Sequence, residues 1–169
     1  MSTIDPVLAG SKNVCAFLDM LADSEIGSAL LALSDDGYNV LEGSTPQAPI
    51  LFPVNPDGTP DYRQHPVVTL NSIETSTAAG RYQIMQRYAE AYQAQLGLPD
   101  FGHLSQDLIA VQMMRECHAI AMLQNGNITG AIISCGSRWA SLPNNSYGQH
   151  QNTVTNLIES YQKAGGTVA

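Results

Sequence analysis

Apolar residues recur at helical spacing in five stretches of the chain. Val14, Phe17, Leu18 and Leu21 share one face of a helix with Ser11 or Asn13 as its N-cap. That stripe runs out at Ser24-Glu25, and Gly27-Ser28 follows as a break. A second pattern, capped by Thr75, Ser76 or Thr77, sets Ile84, Tyr88, Ala91 and Tyr92 along one side. It runs to about residue 96, where Gly97 ends it and Pro99 forbids continuation. Ser105 with Asp107 opens a third helix. Residues 108–114 are apolar almost all round, the mark of a buried central helix, and the pattern reaches Gln124 with Gly126 as its stop. A short helix over residues 128–134 follows. After a loop at 136–149, a last helix carries Val154, Leu157, Ile158 and Tyr161 up to Gly165-Gly166.

The pattern changes between the first two helices. Asp35-Asp36-Gly37 signals a turn, and residues 38–41 and 67–70 read as short strands. Pro46, Pro49, Pro53, Pro56, Pro60 and Pro66, with Asn55, Asp57 and Gly58, exclude helix from 43–66 and favour turns, extended pieces and a hairpin. A small sheet lobe over roughly 37–72 beside a mostly helical lobe is an α+β plan, with a cleft between the lobes as the natural ligand site. Residues 1–12, broken by Asp5-Pro6 and Gly10-Ser11, read as a flexible N-terminal arm, and 13–169 as a single domain.

Composition narrows the partners. The 169 residues are 44% hydrophobic, enough for one domain with a core, but only 13% charged. Seven basic against fifteen acidic residues leave a net charge of −8, which argues against nucleic acid, since phosphate binding needs clustered Lys and Arg. No stretch has the apolar length of a membrane span, so stable membrane insertion is not expected. Residues 1–12 lack a basic start followed by an apolar core, so no signal peptide is expected either. Cys15, Cys117 and Cys135, odd in number and widely spread, fit reduced, buried thiols of a cytosol. His65, His103, His118 and His150 lie too far apart for a local ligand set, so neither metal nor other cofactor is expected.

The candidate chemistry centres on Glu25. A carboxylate at the exit of a buried helix, followed by a small-residue break, is placed to stand in a cleft wall. Apolar neighbours there favour its neutral form, which a general acid needs at neutral pH. The same position also suits a solvated Glu past a helix terminus.

Three stretches decide between these readings. They are Ala16-Phe17-Leu18-Asp19-Met20-Leu21-Ala22 with Ser24-Glu25, Ser76-Thr77-Ala78-Ala79-Gly80-Arg81-Tyr82-Gln83, and Trp139-Ala140-Ser141-Leu142-Pro143 with Tyr147-Gly148-Gln149. Shorter echoes include Gly37-Tyr38, Asp61-Tyr62, Val68-Thr69-Leu70-Asn71 and Ser105-Gln106-Asp107. Together, in order over about residues 15–168, they resemble the lambda-type bacteriophage endolysins, lysozyme-like lytic transglycosylases of the bacterial cell wall. The resemblance implies a lysozyme-like α+β fold and cleavage of peptidoglycan at the β-1,4 bond between N-acetylmuramic acid and N-acetylglucosamine. Glu25 aligns with the family's catalytic glutamate. It would protonate the leaving oxygen and then take a proton from the C6 hydroxyl of the same sugar, closing a 1,6-anhydro ring with one carboxylate instead of the usual pair.

The resemblance also nominates substrate contacts: Ser24, Tyr38, Gln83, Tyr82, Ser137, Trp139, Tyr147 and Gln149. Each has an ordinary reading beside it. Ser24 can bond Glu25 or the sugar, or end the helix. Gln83 is an uncharged donor and acceptor suited to an N-acetyl group. Tyr82, Tyr38 and the single Trp139 also read as packing residues, whereas Tyr147, in a polar loop, suits a saccharide platform. The implied setting is a monomer held in the host cytoplasm until a separate holin-like protein lets it reach the periplasm and cell wall.

Departures from the family pattern cluster near the site. Ile26 stands where the family has glycine, with Gly27 one place later, Ala78 replaces another glycine, and residues 43–60 are longer and richer in proline. Three rivals remain at this stage. A hydrolytic lysozyme would need a second acid, for which Asp35, Asp36 and then Asp61 are candidates. A cysteine peptidase built on Cys117-His118 is disfavoured because adjacent helical residues point about 100° apart. A non-catalytic wall-binding module is the third.

Overall fold

The computed structural model describes residues 1–66 and 76–169. The strand expected at 67–70, the echo at 68–71 and Thr75 as a cap lie outside these residues. The elements are α1 (Pro6–Ala9), α2 (Lys12–Ala32), β1 (Ala78–Ala79), β2 (Ile84–Met85), α3 (Gln86–Leu96), α4 (His103–Glu116), α5 (Ala119–Gln124), α6 (Ile128–Cys135) and α7 (Val154–Lys163). They divide into two compact units, Met1–Glu25 with Ala110–Ala169, and Ile26–Ile109. Among the described residues no helix is long and apolar enough to cross a membrane.

The first unit is helical. Val14, Phe17, Leu18 and Leu21 of α2 are fully buried, as their spacing predicts. Ser11 accepts from the Val14 amide at 3.2 Å and so caps α2. Asn13, the alternative cap, instead donates to the Leu123 carbonyl and accepts from the Thr167 amide. Residues 1–12 differ from the expected arm. Asp5 caps the short α1, Ile4 and Ala9 are buried, and the Ser2 amide donates to Asp19. Two apolar side chains and one cap suffice to anchor a segment whose breakers suggested mobility. The long third helix is cut in two at His118, whose left-handed φ of 59° ends α4's run and starts α5. Helix α7 is capped by Thr153 and buries Leu157 and Tyr161; Tyr161 packs so closely on Gly166 that a Cβ there would lie 2.3 Å from its ring. Cys135 is buried, but Cys15 and Cys117 are half-exposed, contrary to the expectation of three buried thiols.

The second unit carries little sheet among its described residues. Among the described residues β1 and β2 form a two-stranded antiparallel pair, Ala78 opposite Met85 and Ala79 opposite Ile84, and isolated bridges join Val40 to Leu51 and Leu41 to Ala79. The helix expected from residue 76 therefore begins only at Gln86. Gly80 at φ 78° and Gln83 at φ 45° reverse the chain between the strands, a path no helix can follow. Helix α4 starts two residues earlier than expected, because Ser105 donates to Asp100 and Asp107 turns inward instead of capping.

Asp107 explains that inward turn. Its Oδ1 accepts from the Tyr38 hydroxyl at 2.8 Å and the Tyr82 hydroxyl at 2.6 Å, all three residues being buried. Gln106 beside it accepts from the Arg81 amide and donates to the carbonyls of Tyr38 and Phe101. A Cβ on Gly80 would lie 2.2 Å from the Gln106 oxygen, so this turn must be glycine for space as well as for φ.

Candidate active site

Glu25 ends the first unit, at the point where α2 loses its regular form. Gly27 has φ 79° and ψ 149°, far from helical values. A Cβ there would meet nothing within 4 Å, so the backbone angle alone requires glycine. The glycine one place later than in the family pattern thus does the work of breaking the helix just after Glu25. Replacing Gly27 with Ala should cost about 1–3 kcal/mol. Denaturant unfolding would read that loss, and unchanged stability would show that the break does not depend on glycine.

The half-buried Glu25 carboxylate is held from the other end of its unit. The Ser141 hydroxyl donates to Glu25 Oε1 at 2.5 Å, in the range of a hydrogen bond to an ionised carboxylate. Ser141 Oγ lies 2.7 Å from Ser24 Oγ, and the Asn152 amide donates to Ser24 Oγ at 3.0 Å. The loop between α6 and α7 fixes these groups. Trp139 and Leu142 are buried on either side of Ser141, the Trp139 amide donates to the Cys135 carbonyl, and the Asn152 amide nitrogen donates to the Ser141 carbonyl at 2.8 Å. Asn145 braces the same loop through the carbonyls of Ala140 and Leu142.

The other nominated residues divide between the units. Tyr147 is exposed and donates through its hydroxyl to the Ser137 carbonyl at 2.7 Å, so these two come together; Gln149 is exposed nearby in sequence. Trp139 is buried in the first unit, and Tyr38 and Tyr82 in the second, with their rings edge to face at 6.5 Å. At 2% exposure or less, all three rings are packed in the interior, the ordinary reading that stood beside each of them. Gln83 is half-buried and donates to the Gly80 carbonyl at 2.9 Å, fastening its own turn.

Similarity to known proteins follows the same chain span. The family model described as Endolysin matches residues 15–168. The endolysin of Escherichia phage lambda is 43% identical over 156 residues, covering 90% of this chain and 91% of its own. That of Escherichia phage P2 is 39% identical over 172 residues, covering 97% and 99%. The chain belongs to the endolysin family. Its fold is the lysozyme-like α+β fold of that family. A structure of bacteriophage lambda lysozyme complexed with a chitohexasaccharide superposes with a TM-score of 0.81 at 40% identity over all of both chains. A second lambda lysozyme structure gives 0.76.

Within this endolysin fold, the acids considered as second carboxylates all have partners in their own unit. Asp35 Oδ2 accepts from the Tyr62 hydroxyl and sits 2.7 Å from His103 Nε2. Burial and the Asp35 hydrogen bond push the Tyr62 phenol well up, so it stays a donor. Asp36 pairs with the buried Arg81 at 2.9 Å. Asp61 is bound by Arg63 at 2.6 Å, and those hydrogen bonds hold its carboxyl down at about 2. Cys117 and His118 make no dyad. A hydrogen bond from Cys135 lowers the Cys117 thiol, and His118 is an exposed residue on a left-handed backbone. Sequence reasoning missed Asn152 altogether, and held Ser141 only as part of a motif. Nothing local marks either, because their partners Ser24 and Glu25 lie 128 and 116 residues away.

Proposed function

We propose that this endolysin-family chain is a lytic transglycosylase of bacterial peptidoglycan, with Glu25 as its single acid and base. Glu25 in its protonated form gives its proton to the glycosidic oxygen as the bond from the muramic C1 breaks. The resulting carboxylate then removes the C6 hydroxyl proton while that oxygen bonds to C1. No water enters, and Glu25 ends protonated, ready for another bond. The saccharide named with lambda lysozyme, a β-1,4-linked chain of N-acetylated sugars, supports a glycan strand as substrate.

The observation that carries the one-carboxylate route is the state of the alternatives. Asp35, Asp36 and Asp61 are each tied to a histidine, a tyrosine or an arginine, while the Glu25 carboxylate accepts from the Ser141 hydroxyl. A hydrolase needs its second acid free to hold water or face the cation. On the same reading, the protein waits in the host cytoplasm and reaches the wall after a separate holin-like protein opens the membrane.

Mass spectrometry of unreduced muropeptides released from purified peptidoglycan tests the chemistry. The expected products carry terminal 1,6-anhydro-muramic acid. Reducing muramic ends, one water heavier, would assign hydrolysis and return attention to Asp35 and Asp36.

A further inference from the structure

We propose that Ser141, aligned by Ser24 and Asn152, is a positioning residue for Glu25, holding its ionised carboxylate through a one-way hydrogen-bond chain. This inference rests on the acid–base reading of Glu25. The direction follows from counting protons. An ionised carboxylate only accepts, so the single hydroxyl proton of Ser141 is spent on Glu25 Oε1 at 2.5 Å. The 2.7 Å contact between the two serines must then be donated by Ser24 into Ser141 Oγ. Ser24 has no second proton, and its oxygen is in turn met by an Asn152 N–H at 3.0 Å. While Glu25 is ionised, the donors therefore run one way, from Asn152 to Ser24 to Ser141 to Glu25. Aligned hydrogen bonds polarise one another, so the last one acts with more than a lone serine's strength.

The chain is also rigid. The Asn152 backbone amide donates to the Ser141 carbonyl, and Asn152 Nδ2 also reaches the Ser24 carbonyl at 3.4 Å, so the four residues form a closed set. The groups that approach Glu25 through this set are uncharged. Asp23, on Glu25's own helix, accepts from Ser160 of α7; Arg138 of the loop pairs with Glu116 of α4; and His150 of the loop is exposed. Removing Ser141's hydroxyl subtracts a donor that favours the ionised form, so the Glu25 carboxyl should then hold its proton to higher pH.

The test is a carbon-13 NMR titration of glutamate-labelled protein with parallel muropeptide-release assays across pH. The Glu25 signal is assigned by its loss in Glu25→Gln. In Ser141→Ala the carboxyl midpoint should move up by about one pH unit, with kcat down about tenfold and the alkaline limb of activity moved the same way. Ser141→Thr, which keeps the hydroxyl, should restore both. Asn152→Ala, cutting the chain at its outer end, should give a smaller shift of the same sign and serves if Ser141→Ala fails to fold. An inactive Glu25→Gln with wild-type midpoints in Ser141→Ala or Asn152→Ala would overturn this inference alone. Activity retained in Glu25→Gln would overturn the acid–base reading and this inference with it.

Discussion

Glu25→Gln should abolish muropeptide release while leaving the fold intact. Acid–base groups typically contribute 10²–10⁴-fold, and in the proposed mechanism one carboxylate serves both proton transfers, so the loss should reach at least ~10³-fold. The amide keeps an oxygen where the carboxylate had one, so the Ser141 hydroxyl still finds its acceptor. Stability should therefore change by no more than ~0.5 kcal/mol. The measurements are turnover on purified peptidoglycan and a thermal melt of the same preparation. Activity within tenfold of wild type, at unchanged melting temperature, would remove Glu25 from the reaction and require a different catalytic acid.

Asp107→Ala should cause the largest loss of stability. It deletes the acceptor that the Tyr38 and Tyr82 hydroxyls share, in a region where all three residues are at most 1% exposed. Water does not replace it there. The same two rings carry Arg81, whose guanidinium carbon lies 5.2 Å from the Tyr38 centroid and 6.0 Å from that of Tyr82, so a shift of the phenols disturbs its packing as well. Breaking a buried charged network by removing one member costs about 3–5 kcal/mol. For a chain of this size that lowers Tm by roughly 6–20 °C. Asp107→Asn retains one oxygen and should lose less than half as much. Equal melting of wild type and Asp107→Ala would mean that the two phenols find other acceptors.

The sequence was most legible where a residue's role is set by its near neighbours. The buried stripe of α2, the break after Glu25, the stop at Gly97 and the helices at 128–135 and 154–163 all follow from spacing and glycine placement. It was least legible where a distant partner decides. Residues 76–85 look helical by composition, yet Gly80 is pinned against Gln106 and the chain must turn. Asp107 looks like a cap, yet two tyrosines from distant positions claim it. At the site, Glu25 and Ser24 were readable from the helix end and from the resemblance. The loop that holds them was not, because a serine and an asparagine in a polar stretch carry no signal until folding brings them to Ser24 and Glu25. The aromatic candidates Tyr38, Tyr82 and Trp139 show the opposite ambiguity. Large rings suit sugars, but they suit interiors as well, and burial claimed them.

The division into two units has a consequence for the ribosome. Residues 26–109 form one unbroken stretch, so every residue of that unit exists once Ile109 has been added. The unit that contains Glu25 is assembled from both ends of the chain and must wait for its second half. Ser141 is made 116 residues after Glu25, and Asn152 128 residues after Ser24. At ~5–20 residues per second, that delay is roughly 6–25 s. Throughout it, the nascent chain carries Ser24 and Glu25 without the Asn152 and Ser141 side chains that hydrogen-bond to them in the folded unit. On the proposed roles of Glu25 and Ser141, a stalled or abandoned copy of this chain is therefore chemically blunt, and only a nearly finished translation product acquires a complete site.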